Sequence, residues 1–186
     1  MKEMKNRTFW IVVVCLLIVF VILMSWGCSR KESSEKVSPE DVSSTVAKPF
    51  DAKATIKMKD LVMTADVNRT AEGRATVQIS EPKTLSGMSF AYDGKDVLVS
   101  YKGLTVKLDE NSRLVSGAAS IIVNAINAAS SPSGINVSLD GKLLTVTGKS
   151  DSGQFKITMD KKSGAMATLS LPELDFECNF SDFAFR

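Results

Sequence analysis

From Phe50 onward, apolar side chains recur at every second position, and a chain with that period is committed to β-sheet. Phe50, Ala52, Ala54, Ile56 and Met58 alternate with Asp51, Lys53, Thr55, Lys57 and Lys59. Successive side chains of a strand point to opposite faces, so the pattern predicts one dry face and one wet face. Leu61, Met63, Ala65 and Val67 continue it in a second strand. Ala75, Val77 and Ile79 form a third, which Pro82 ends. Beyond Pro82, glycine turns punctuate the chain. Asp93-Gly94 joins strands near 88–92 and 95–101, and Lys102-Gly103 leads into 104–108. Asp140-Gly141 joins 135–139 to 143–147, while Ser152-Gly153 and Ser163-Gly164 bound strands at 154–159 and 165–171. In the last strand the phase flips: Leu174, Phe176, Cys178 and Phe180 are even, Phe183 and Phe185 odd. A β-bulge near Ser181 and Asp182 would keep all six on one face. The expected fold class is mostly β (α+β), with about eleven antiparallel strands.

One stretch breaks this rhythm. Residues 112–131, between a Ser112 cap and a stop at Pro132 and Gly134, read as a helix of about five turns. Ser116, Ser120, Asn124 and Asn127 make a narrow polar stripe on it, and no charge occurs from Leu114 to Leu139. A surface helix carries charge on its wet face, so this one is expected to lie against apolar material. Ile121, Ile122 and Ile126 are expected innermost, with Ser116, Ser120 and Asn124 nearest to solvent.

The first 48 residues have another character. Lys2, Lys5 and Arg7 stand against Glu3, and an unbroken apolar run extends from Phe9 to Met24. Basic residues before an apolar run form an export signature, with the rest of the chain carried across a membrane. Residues 1–28 are therefore expected to be a signal peptide or an uncleaved anchor. Residues 29–48, rich in Ser, Lys and Glu, read as a flexible tether, with a short amphipathic helix at 39–46 as the alternative. The folded domain is expected over 49–186.

Charge and residue types exclude several functions. The net charge of +2 belongs to the basic start, so the domain is neutral and lacks the footprint of a nucleic-acid binder. There is no histidine, which removes the usual nucleophilic triads and most zinc sites. Gly-rich phosphate loops are missing too. Cys178 lies between Phe176 and Phe180 on the apolar side of its strand and reads as a buried thiol. Acid pairs such as Asp175 and Glu177 read as solvated surface charge. The chain is expected to be no enzyme and to need no cofactor.

What remains is an apolar inventory. Ile56, Met58, Met63, Phe90, Phe155, Met159, Phe176 and Phe180, with Ile121, Ile122 and Ile126 of the helix, are the candidate lining of an apolar cavity. Met and Phe suit acyl chains because Met repacks at little cost. An ordinary filled core uses the same residues.

Six strands, an apolar helix and five strands, with Glu81-Pro82-Lys83-Thr84-Leu85-Ser86-Gly87-Met88-Ser89-Phe90 leading into Tyr92-Asp93-Gly94, resemble the bacterial lipoprotein carrier family (LolA/LolB-like). The resemblance implies an incomplete antiparallel β-barrel with a helical lid, whose concave face holds a lipid or the acyl chains of a lipoprotein. Gly27-Cys28-Ser29 resembles the end of a lipobox, although Ser25 and Trp26 stand where that motif has Leu and a small residue. It implies lipidation at Cys28 and a lipid anchor on the extracytoplasmic face of the cell membrane. The competing reading is a scaffold or accessory factor for an envelope protein, with a filled core and no ligand.

Overall fold

The computed structural model describes residues 37–93, 96–108 and 117–186. The apolar run, Cys28, residues 29–36, Gly94 and the expected Ser112 cap lie outside them.

Eleven antiparallel strands form one open sheet. They are β1 (Phe50–Met58), β2 (Leu61–Arg69), β3 (Ala75–Glu81), β4 (Ser89–Tyr92), β5 (Val97–Tyr101) and β6 (Leu104–Leu108). The second half supplies β7 (Ile135–Asp140), β8 (Leu143–Ser150), β9 (Gly153–Asp160), β10 (Met166–Leu171) and β11 (Phe176–Phe185). Their spatial order is β6-β5-β4-β3-β2-β1-β11-β10-β9-β8-β7. Two meanders are thus joined where the first strand pairs with the last, and the sheet does not close into a barrel. The alternation fixes which side is dry. Phe50, Ala54 and Ile56 of β1 are buried while Lys53, Thr55 and Lys57 are exposed, and β2, β3 and β9 repeat the pattern.

The phase flip in β11 is a bulge. Asp51 pairs with Ala184 but Lys53 with Ser181, so β11 carries an extra residue there. Asp182 takes the left-handed conformation at φ 50°, which Asp tolerates better than most residues. The bulge delivers Phe183 to the dry face, where its ring stacks on Phe50 at 4.7 Å and meets Phe180 and Phe185 edge-on. Leu174 departs from the expected group of six: it lies in a short 3₁₀ turn, Pro172–Leu174, and is exposed. Beside the bulge, Arg186 grips both carboxylate oxygens of Asp51, and Asn68 donates to the same carboxylate at 2.6 Å. These partners, Arg186 foremost, hold the Asp51 pKa below its ordinary value. The cluster ties β2, β1 and the end of β11 together.

Two helices are described, α1 (Pro39–Val46) and α2 (Gly117–Ala129). The first corrects the tether reading over those residues. Ser38 caps it, accepting from Asp41 N at 3.1 Å, Pro39 starts it and Glu40 and Asp41 occupy its first turn. Val42 and Val46, four residues apart, are 3% and 2% exposed and drop into the core. That single apolar edge is enough to dock a two-turn helix that is polar elsewhere. α2 is shorter over the described residues than the five turns expected. It touches β8, β4 and α1.

If Asp182 matters through its backbone, Asp182→Val lowers stability by about 1–2 kcal/mol, whereas Asp182→Asn stays near wild type. Urea denaturation checks this; equal losses in both variants would assign the effect to the exposed Lys53–Asp182 ion pair instead.

Candidate functional site

The candidate site is the dry face of the sheet and the helix laid on it. The chain must pass from β6, at one edge of the sheet, to β7 at the other, and α2 lies on that route. Its start lies at the Met58 end of β1, where a side chain on Gly117 would come within 3.2 Å of Met58 Cε. Ile122, Val123, Ile126 and Asn127 lie by the opposite end, against Phe50, Val67, Arg69 and Ala75. α2 therefore runs lengthwise over β1–β3, opposite in direction to β1. Its contacts with both β4 and β8 require the sheet to curl around it.

All eleven cavity candidates belong to one apolar cluster. Ile56, Met63, Phe90, Ile121, Ile122, Ile126, Phe155, Met159 and Phe176 are buried in it, and Met58 and Phe180 pack half-buried against it. They come together in one cluster and fill the space. Between α2 and β1–β3 the remaining void is about 10 Å³, which is room for roughly one water. Phe155 lies flat on β8, where a side chain at Gly148 would come within 2.8 Å of its ring. The larger hollows lie elsewhere. One of about 480 Å³ sits on the polar face of the sheet, between Lys57, Lys156, Thr158, Thr168 and Glu177. Another, of about 460 Å³, is a polar groove above α2, between Tyr92 of β4 and Lys149, Ser150 and Asp151 at the β8–β9 turn.

The polar stripe of α2 lies on its side nearest to solvent, as expected, but is not fully wet. Ser120, Asn124 and Asn127 are half-buried, and no described residue of α2 is fully exposed. Ser116 lies outside the described residues. Asn124 Nδ2 donates to Ser152 Oγ at 3.2 Å, and Asn124 and Asn127 line the groove floor. The curled sheet and α1 cover most of the helix apart from its groove side, which explains why it carries no charge.

Cys178 is fully buried, and burial pushes its thiol up to about 12, so it stays protonated and unreactive at ordinary pH. Among the described residues no group of His, Cys, Asp and Glu is arranged to hold a metal ion. Sequence reasoning misses one residue. Arg69 ends β2 on the dry face and is 5% exposed. The signal is present, since Met63, Ala65 and Val67 set an odd-numbered phase that Arg69 continues.

The chain matches no protein-family model and no curated protein. Its fold does recur among solved structures. An uncharacterized conserved protein from Thermus thermophilus aligns with a TM-score of 0.52 at 11% identity, over 78% of this chain and 83% of that one. At that identity the likeness is one of fold. Two looser similarities are a LolA superfamily protein from Nitrosomonas europaea and a DUF1329 family protein from Desulfovibrio piger. The first has a TM-score of 0.45 at 14% identity over 81% and 94% of the two chains. The second has 0.40 at 10% identity over 80% and 94%. At those scores neither bears on what this chain does.

Ile122→Asp places an unpaired charge where nothing is exposed and costs several kcal/mol, enough to abolish folding. Asn124→Asp, beside the groove and able to accept from Ser152, costs under about 1 kcal/mol. Thermal melts of the two variants check this; equal tolerance would mean that α2 does not pack on the sheet.

Proposed function

We propose that this chain is a membrane-anchored, extracytoplasmic lipoprotein whose open sheet takes up an apolar ligand, a lipid or lipopeptide, beneath α2. The observation that carries the reading is that a separate helix, rather than strand pairing, seals the apolar face. In a closed barrel, access to the interior breaks backbone ladders. Here α2 joins no ladder, and its described side-chain hydrogen bond to the sheet is the single Asn124–Ser152 contact. Lifting it exposes apolar surface but breaks no pairing between strands. The filled interior is then the closed state, in which the helix stands in for the ligand. Met58, Met63 and Met159 in the lining can repack around a guest. The resemblance to lipoprotein carriers points the same way, and Cys28 is the proposed anchor. Among the described residues no helix is long and apolar enough to cross a membrane.

A second reading rests on a different feature. Edge strand β6 exposes Leu104 and Val106, at 74% and 59%, on an edge that no other described strand covers. Such an edge suits addition of a strand from an envelope protein, with the core left filled.

Native mass spectrometry of the full chain separates the two. The ligand reading expects a population heavier by one lipid besides any mass on Cys28, and Cys28→Ala should lose the anchor mass while keeping that population. A chain that carries anchor mass alone and takes up no added lipid would leave the scaffold reading standing.

A further inference from the structure

Arg69 is the one charged residue among the described residues that is buried. It is 5% exposed, and its Nε has no hydrogen-bond partner. Burial lowers its pKa. Holding a guanidinium largely out of water with its Nε unpartnered is unfavourable. Its surroundings make it stranger. Phe50, Val67, Ile122 and Ile126 wall the same closed space, and Asn127 joins that space to the polar groove above α2. Nearby, the β2–β3 turn places Gly73 at φ 75°, where a side chain would come within 3.7 Å of both Arg69 Nη2 and Asn127 Oδ1. The missing side chain leaves the head of Arg69 uncovered on that side.

A planar fork of donors set at one end of an apolar slot matches a molecule with an oxyanion at one end and a hydrocarbon tail. Resting on the reading that α2 lifts to admit an apolar ligand, we propose that the ligand is an acidic amphiphile. Its carboxylate or phosphate head is bound by Arg69, and its acyl tail lies between β1–β3 and α2. Nothing covalent is required. The head replaces the water that Arg69 gave up on folding, and the tail replaces the contacts of Ile122 and Ile126 with the sheet. A neutral lipid of the same length fills the slot but leaves the guanidinium unpaired.

The test uses membranes carrying the full chain, a photoreactive fatty acid and the alcohol of identical chain, with cross-links mapped by peptide mass spectrometry. The proposal expects the acid to label the α2 peptide about tenfold or more above the alcohol, as a charge-assisted contact would give. Arg69→Met should bring acid labelling down to the level of the alcohol and leave alcohol labelling unchanged. Its melting temperature should match or exceed wild type, because a buried unpaired charge has been removed. Excess inorganic phosphate should not displace the acid; full displacement would make the site one for a free oxyanion and overturn the amphiphile. Equal labelling by acid and alcohol in the unmodified chain overturns the role of Arg69 whatever the variant does, yet leaves the apolar-ligand reading intact. Absence of α2 labelling by either probe overturns both.

Discussion

The pairing of β1 with β11 is the constraint on which the rest depends. It sets the two ends of the folded domain side by side at the middle of the sheet and leaves β6 and β7 as the edges. The chain must then cross from one edge to the other. Eleven strands laid flat would separate those edges by about 48 Å, at about 4.8 Å per strand. α2 runs along the strands, yet it touches both β4 and β8, which stand far apart in the strand order. The sheet therefore curls, with α2 lying in the hollow. Curvature and the apolar character of α2 go with that one long-range pairing. The aromatic group of Phe50, Phe180, Phe183 and Phe185 and the grip of Arg186 on Asp51 secure that pairing near one end.

This architecture separates two jobs that a closed barrel combines. Backbone ladders hold the sheet together, and side-chain packing alone closes its dry face. Packing is non-directional and can be traded against other apolar surface, whereas a ladder cannot. A helix laid in a curled sheet is thus the element whose removal leaves most of the fold standing. The buried Arg69 beneath it, its Nε unpartnered, fits the proposal of a site completed by an anion.

Much of this fold is legible in local sequence. Alternation in 50–58 and 61–67 places strands on the right faces, and the phase flip after Phe180 announces the bulge with its left-handed Asp182. These signals are local, and side-chain period reports them directly. The pairing of β1 with β11 leaves no local trace, since it joins residues more than a hundred positions apart. α1 reads as tether because two valines in a polar stretch carry little signal until the core that receives them exists. The polar stripe on α2 is legible as the side nearest to solvent because Ser and Asn favour water, but how far the curled sheet covers it is not encoded in the local period. The gathering of Ile56, Met63, Ile122 and Phe176 is foreseeable from their shared apolar phase. Whether they enclose a space or fill it depends on how closely α2 approaches, which period does not encode. Arg69 escapes notice because the apolar pattern of β2 ends at Val67, and a charged residue at the next position in phase looks like the start of a turn.

The central claim is that α2 seals the sheet without being part of it. Amide hydrogen exchange of the full chain, read peptide by peptide, tests this most directly. The account predicts that the amides of α2 exchange through a local opening, with protection about tenfold or more below that of β1 and β11. Protection in α2 equal to that of the central strands would contradict it, because the helix would then leave the sheet only when the whole domain unfolds.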